Sequence, residues 1–234
     1  MKKNQYILLL ILPILLSACN CILGEGDTVA EQREVSRFDK ISLSIDAKVI
    51  LKQEDDYSLR LDAQPNILEI LETKVQGDVL TIGYGFDCVM DASDITIYLS
   101  MPELKGVDLS GSGDVICMQG FDVSELDLGI SGSGEILMEL KADEIRSRIS
   151  GSGEIDIGGK ANKLNVSISG SGSVYAYNLK TPDVSVKIIG SGDARVFPTV
   201  SLYAGISGSG SVYYKGDPMV DSDITGSGRV KKRK

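Results

Sequence analysis

One short motif recurs down the chain at near-constant spacing, and it restricts the fold more than any other feature. Gly-Ser-Gly begins at Gly111, Gly132, Gly151, Gly170, Gly190, Gly208 and Gly226, in steps of 21, 19, 19, 20, 18 and 18 residues. A repeat of this period signals an array of stacked supersecondary units. Two residues before each motif stand Leu109, Ile130, Ile149, Ile168, Ile188, Ile206 and Ile224. Four before it stand Val107, Leu128, Ser147, Val166, Val186, Ala204 and Ser222, and six before it Lys105, Leu126, Ile145, Leu164, Val184, Leu202 and Val220. The residues between are mostly polar or Gly. This period-2 alternation marks a half-buried strand.

A second strand follows each motif. Its inward columns read Val115, Ile136, Ile155, Val174, Ala194, Val212 and Val230, then Cys117, Met138, Ile157, Ala176, Val196 and Tyr214. Its outward column reads Ile116, Leu137, Asp156, Tyr175, Arg195 and Tyr213. Each unit is therefore strand, Gly-Ser-Gly corner, strand and variable turn. A unit of this length cannot enclose its own core, but stacked coils can. The pattern predicts an all-β, single-stranded parallel β-helix of about 18–21 residues per coil, with strands about 4.8 Å apart. Gly suits a corner that needs positive φ and close backbone approach. The Ser hydroxyls are expected to bond from coil to coil.

Residues 35–105 read as irregular opening coils and 106–230 as the regular repeats. Asp46-Ala47-Lys48 stands where a corner would be, between Ile41, Leu43 and Ile45 and then Val49 and Leu51. Asn66 to Lys74 reads as one or two helical turns.

The first residues are a targeting segment, to be set aside before the fold is considered. Lys2 and Lys3 precede an apolar run of 11 residues, Tyr6 to Leu16. A membrane-spanning helix needs roughly 20. The run ends in Leu16-Ser17-Ala18-Cys19, which resembles the bacterial lipobox. That resemblance implies a signal peptide over 1–18, lipidation of Cys19, a tether over 19–34 and a palmitate-type membrane anchor. Asn20 does not resemble an inner-membrane retention signal, so the expected location is the cell envelope, at the outer membrane. Residues 231–234 read as a basic tail.

The formal charge is −9, and −11 once Lys2 and Lys3 are removed. An acidic chain is a poor partner for nucleic acid. The chain has no His, which excludes Ser-His-Asp and Cys-His catalysis and His-based zinc sites. With Cys19 acylated, Cys21, Cys88 and Cys117 remain. One disulfide is open to them, without a pairing that the sequence selects, and Cys117 falls in an inward column.

Several features together resemble the bacterial family "putative auto-transporter adhesin, head GIN domain". They are Arg37-Phe38-Asp39-Lys40-Ile41, Asn66 to Leu71, Gly77-Asp78-Val79-Leu80-Thr81-Ile82, and the repeated Ser-Gly-Ser-Gly corners. The resemblance covers residues 35 to 230. It implies a right-handed parallel β-helix similar to pectin-lyase folds but without their catalytic residues, and an adhesion role.

Three functions compete. The first is a non-catalytic envelope adhesin or ligand-binding scaffold that takes a polysaccharide or a surface protein. Tyr175 and Tyr213 are its candidate contacts, because exposed aromatics on a flat sheet stack on sugar rings. The second is a structural protein that self-associates end to end. The third is a carbohydrate-active enzyme, for which Arg146, Arg148 and Arg195 beside Glu154 and Asp193 are loose candidates. No cofactor is expected. The row Asp114, Glu135 and Glu154 is the one candidate for Ca²⁺, since it stacks hard oxygen ligands. A solvated acidic edge is the plainer account of that row.

Overall fold

The computed structural model describes residues 21–85, 89–90 and 95–233. β1 (Ile22–Leu23) and β2 (Val29–Arg33) precede β3 (Lys40–Leu43) and β4 (Lys48–Gln53), which flank a bend at Ile45 and Asp46. Then follow β5 (Ser58–Ala63), the short helix α1 (Pro65–Ile70), β6 (Leu71–Gln76), β7 (Val79–Tyr84), β8 (Val89–Met90) and β9 (Thr96–Met101). β10 (Gly106–Leu109) enters the regular part. β11 (Asp114–Gly132), β12 (Glu135–Gly151), β13 (Glu154–Gly170), β14 (Ser173–Gly190) and β15 (Asp193–Gly208) each run from one corner to the next. β16 (Ser211–Tyr214), β17 (Met219–Gly226) and β18 (Arg229–Lys232) complete the chain.

The strands stack as a parallel β-solenoid of about 7 turns. Its register follows the sequence columns. Ile82, Leu43, Leu109, Ile130, Ile149, Ile168, Ile188, Ile206 and Ile224 lie over one another on successive paired strands. So do Ile97, Val49, Val115, Ile136, Ile155, Val174, Ala194, Val212 and Val230. Nearly every member is buried, and together they form one continuous core. Burial of aliphatic columns at roughly 25 cal/mol per Å² drives the stacking.

The corners explain the glycines. Gly170 has φ +123°, and a Cβ there would lie 2.5 Å from the Gly151 carbonyl oxygen. The second Gly of each corner is excluded by packing instead: a Cβ on Gly172 would meet Gly153 O at 2.7 Å. Corners are joined by backbone bonds, with the Ser152 N–H donating to Gly132 O at 2.9 Å and Ser171 N–H to Gly151 O at 2.9 Å. This corrects the expected hydroxyl ladder. The corner Ser side chains are exposed, and the peptide group carries the link.

Other expectations are also corrected. Lys105 points to solvent and pairs with Asp39 at 2.7 Å, while Leu104 fills the core. Regular pairing with the next coil begins only at Gly106, so Lys105 need not follow the inward column. The helix spans Pro65–Ile70, and from Leu71 the chain is β6, paired antiparallel to β7. Part of the expected tether is strand: β2 pairs antiparallel with β5, Val29 opposite Ala63. Lys231 and Lys232, placed in the tail, belong to β18 and pair with Tyr213 and Tyr214.

The opening coils stack out of chain order. β3 and β4 lie between the coil of β7 and β9 and the coil of β10 and β11. Antiparallel strands and α1 close this end, with Ile67 and Leu68 buried. The Arg33 guanidinium donates to Leu68 O at 2.8 Å and Leu71 O at 2.6 Å, satisfying carbonyls where the helix gives way to β6.

Candidate functional site

The strand after each corner presents one outward column, in register from coil to coil: Ile116, Leu137, Asp156, Tyr175, Arg195, Tyr213 and Lys231. It is apolar at one end and becomes aromatic and cationic at the other. The Arg195 guanidinium lies over the Tyr175 ring at 4.5 Å and 6.0 Å from the Tyr213 ring centre. Arg233 stacks on Tyr213 at 4.6 Å, and the Lys215 ammonium sits 4.7 Å from the Tyr177 ring centre. Rings and cations therefore alternate up the face. Such contacts are worth about 0.5–2 kcal/mol each.

The alternation has an electrostatic consequence. Among the described residues, neither Arg195 nor Arg233 has a carboxylate within ion-pair distance. Arg146, by contrast, is held by Glu125 at 3.0 Å and Glu144 at 3.0 Å. The rings lie against the two guanidiniums without neutralising them. This face joins π surfaces to positive charge that is not closed into an ion pair, a combination suited to a ring-bearing anion. Burial raises the pKa of the Tyr177 hydroxyl, against the pull of Arg195 and Arg233, so it remains a neutral hydrogen-bonding group there.

Tyr175 and Tyr213, predicted as contacts, are thus brought together through Arg195. Tyr203 is not part of this set; it lies on the strand before the corner, opposite Ser185 and Asp221. Lys215 was missed from sequence, and Arg233 was read only as part of the basic tail. They lie past the last repeated column, where periodicity gives no signal.

Asp114, Glu135 and Glu154 are in register on successive coils. Burial pushes the Glu154 carboxyl above the ordinary range, Glu135 and Asp156 add to this, and Arg195 opposes it. Among the described residues, no three carboxylate or Cys groups gather closely enough to hold a metal ion. Arg146 and Arg148 face Asp127 on the strand before the corner, away from the strand that carries Glu154 and Asp193. Of the loose catalytic set, Arg146 and Arg148 therefore lie on a different face, while Arg195 stays with Glu154 and Asp193 on the strand after the corner. The seven corner glycines line one edge as structural elements.

Cys19 lies outside the described residues, as does Cys88. Cys21 is disulfide-bonded, with its partner outside the described residues, while Cys117 is a free thiol in the core. No helix among the described residues is long and apolar enough to cross a membrane.

No curated protein matches the chain. Solved structures do. A protein of Bacteroides fragilis described as a "putative adhesin" superposes with TM-score 0.87 at 24% identity, covering 91% of this chain and 100% of its own. A "putative lipid binding protein" of Parabacteroides distasonis gives 0.77 at 26% identity, over 91% and 99%. A "putative adhesin" of Parabacteroides merdae gives 0.75 at 26%, also over 91% and 99%. The family model described as "Putative auto-transporter adhesin, head GIN domain" matches residues 37–218, and the chain belongs to that family.

Proposed function

We propose that this chain is a non-catalytic envelope adhesin, anchored by a lipid on Cys19 in the outer membrane, whose Tyr175–Arg195–Tyr213–Arg233 face binds anionic polysaccharide. One observation carries the reading: Arg195 between the Tyr175 and Tyr213 rings, and Arg233 over Tyr213, both without an ion-paired carboxylate, on a rigid sheet. The rings offer stacking surface for sugar C–H faces, and the guanidiniums offer paired donors to uronate or sulfate oxygens. The placement of Arg146 and Arg148 on a different face from Glu154 and Asp193 supports binding over turnover. Membership of an adhesin-like family and neighbours described as adhesins agree with it.

The full chain is assayed on arrays of neutral, uronate-bearing and sulfated glycans. Binding to the anionic members is expected, falling about tenfold in Tyr175→Ala/Tyr213→Ala, the equivalent of about 1.4 kcal/mol. Binding unaffected by that double variant, or a flat array, overturns the assignment. Release of unsaturated sugar from a uronan would make the protein a lyase instead.

A further inference from the structure

The two ends of the solenoid are finished differently. The end that carries the N-terminal strands is closed by α1 and antiparallel pairing. At the other end β17 pairs only with β15, and β18 only with β16, among the described residues. The outermost strands β2 and β6 of the first end likewise have one strand partner each, but there α1 packs with Ile67 and Leu68 buried, and nothing comparable among the described residues covers the last coil. β17 and β18 each present one unpaired peptide edge, a template for another strand. The core columns are also cut open there. Ile224 is 39% exposed and Val220 38%, whereas Ile206 and Leu202, one coil below, are 3% and 1% exposed. Met219 beside them is 80% exposed.

The charges of this open end are divided between its two strands. Asp221 and Asp223 are the outward residues of β17, and Arg229 and Lys231 those of β18. β17 runs into the Gly226-Ser227-Gly228 corner and β18 runs out of it. A two-fold axis through Ser227, along the bisector of the corner, lays β17 of one copy antiparallel on β18 of the other. Counting outward from Ser227, Ile224 then faces Val230, and Asp223 faces Lys231. Inward residues meet inward residues, and opposite charges meet on the outer face.

We propose that this end docks on the same end of a second copy of the chain, as a closed isologous dimer with continuous sheets. The contact covers Ile224 and Val230 and pairs both open edges. It uses the same patch on each copy, so it ends at two and does not grow into a filament. The closed N-terminal ends are left at opposite extremes of the dimer. On the lipid-anchor reading above, the two anchors then face away from each other, and the dimer ties together two membranes.

The full chain is studied in detergent by light scattering and, separately, in lipid vesicles. A dimer is expected in detergent, weakened at least about tenfold in Asp223→Lys and in Lys231→Asp, and restored when both are combined. Ser227→Cys is expected to give an oxidised symmetric dimer, and Ser171→Cys, at an inner corner, none. A monomer at high micromolar concentration, a larger open oligomer, or no rescue by the double variant overturns the interface. Vesicle clustering that follows the same variants supports the bridging. Dimers in detergent without clustering overturn the anchor placement and leave the interface standing.

Discussion

Ile149 and Gly172 meet across one coil step: the Ile149 Cγ2 lies 2.6 Å from where a Cβ on Gly172 would stand. The aliphatic column and the corner are thus one packing unit, with each Ile filling the space that the next Gly leaves. Gly172→Ala forces either Ile149 or the corner to shift and is expected to cost about 3 kcal/mol. Ser171→Ala, at an exposed position between the same two glycines, should change stability by less than about 0.5 kcal/mol. Urea midpoints of the three proteins check the contrast.

Ser147 occupies the inward column between Leu128 and Val166, is 1% exposed, and its hydroxyl has no partner. A buried hydroxyl without a hydrogen bond is a net cost. Ser147→Val restores the apolar column and is expected to stabilise by about 1–2 kcal/mol. An unchanged or lower midpoint would mean that the space between Leu128 and Val166 does not admit the two methyls.

Burial raises the Asp156 carboxyl above its ordinary range, and burial followed by Glu135 and Asp156 does the same for Glu154. The folded chain therefore holds these protons more tightly than the unfolded chain. Their favourable contribution is fully present below the ordinary carboxylate range and is lost as pH rises through the raised values. Asp156→Asn should raise the urea midpoint at neutral pH, and the gain should vanish in acid. A gain of equal size at both pH values would mean that ionisation is not its source.

The solenoid was legible because burial repeats. Ile130, Ile149 and Ile168 share a column, since each coil solves the same packing problem, and the Gly-Ser-Gly spacing marks where the chain must turn. What broke the pattern was local chemistry. Lys105 leaves its column for Asp39, which lies far off in sequence. The position of β3 and β4 between two later coils depends on long-range closure, to which no periodicity speaks. The face around Arg195 was half legible. Tyr175 and Tyr213 were placed by the columns, but Arg233 reaches its ring from beyond the last repeat.

Cys117 gives a direct test of the core near the first corner. It is fully buried, stacks on Met138 in register, and is the free cysteine among the described residues. Burial raises its thiol pKa, against weaker stabilisation from the backbone of Gly120 and Gln119. Thiolate is the reactive species, so burial slows alkylation twice, by limiting both access and ionisation. Iodoacetamide at mildly alkaline pH should leave Cys117 unmodified in the native protein and modify it fully in urea, as read by mass spectrometry. Cys117→Val keeps the volume nearly constant and should change the urea midpoint by less than about 1.5 kcal/mol. Rapid native alkylation would place this coil among the parts that open readily, against its position between β4 and β12.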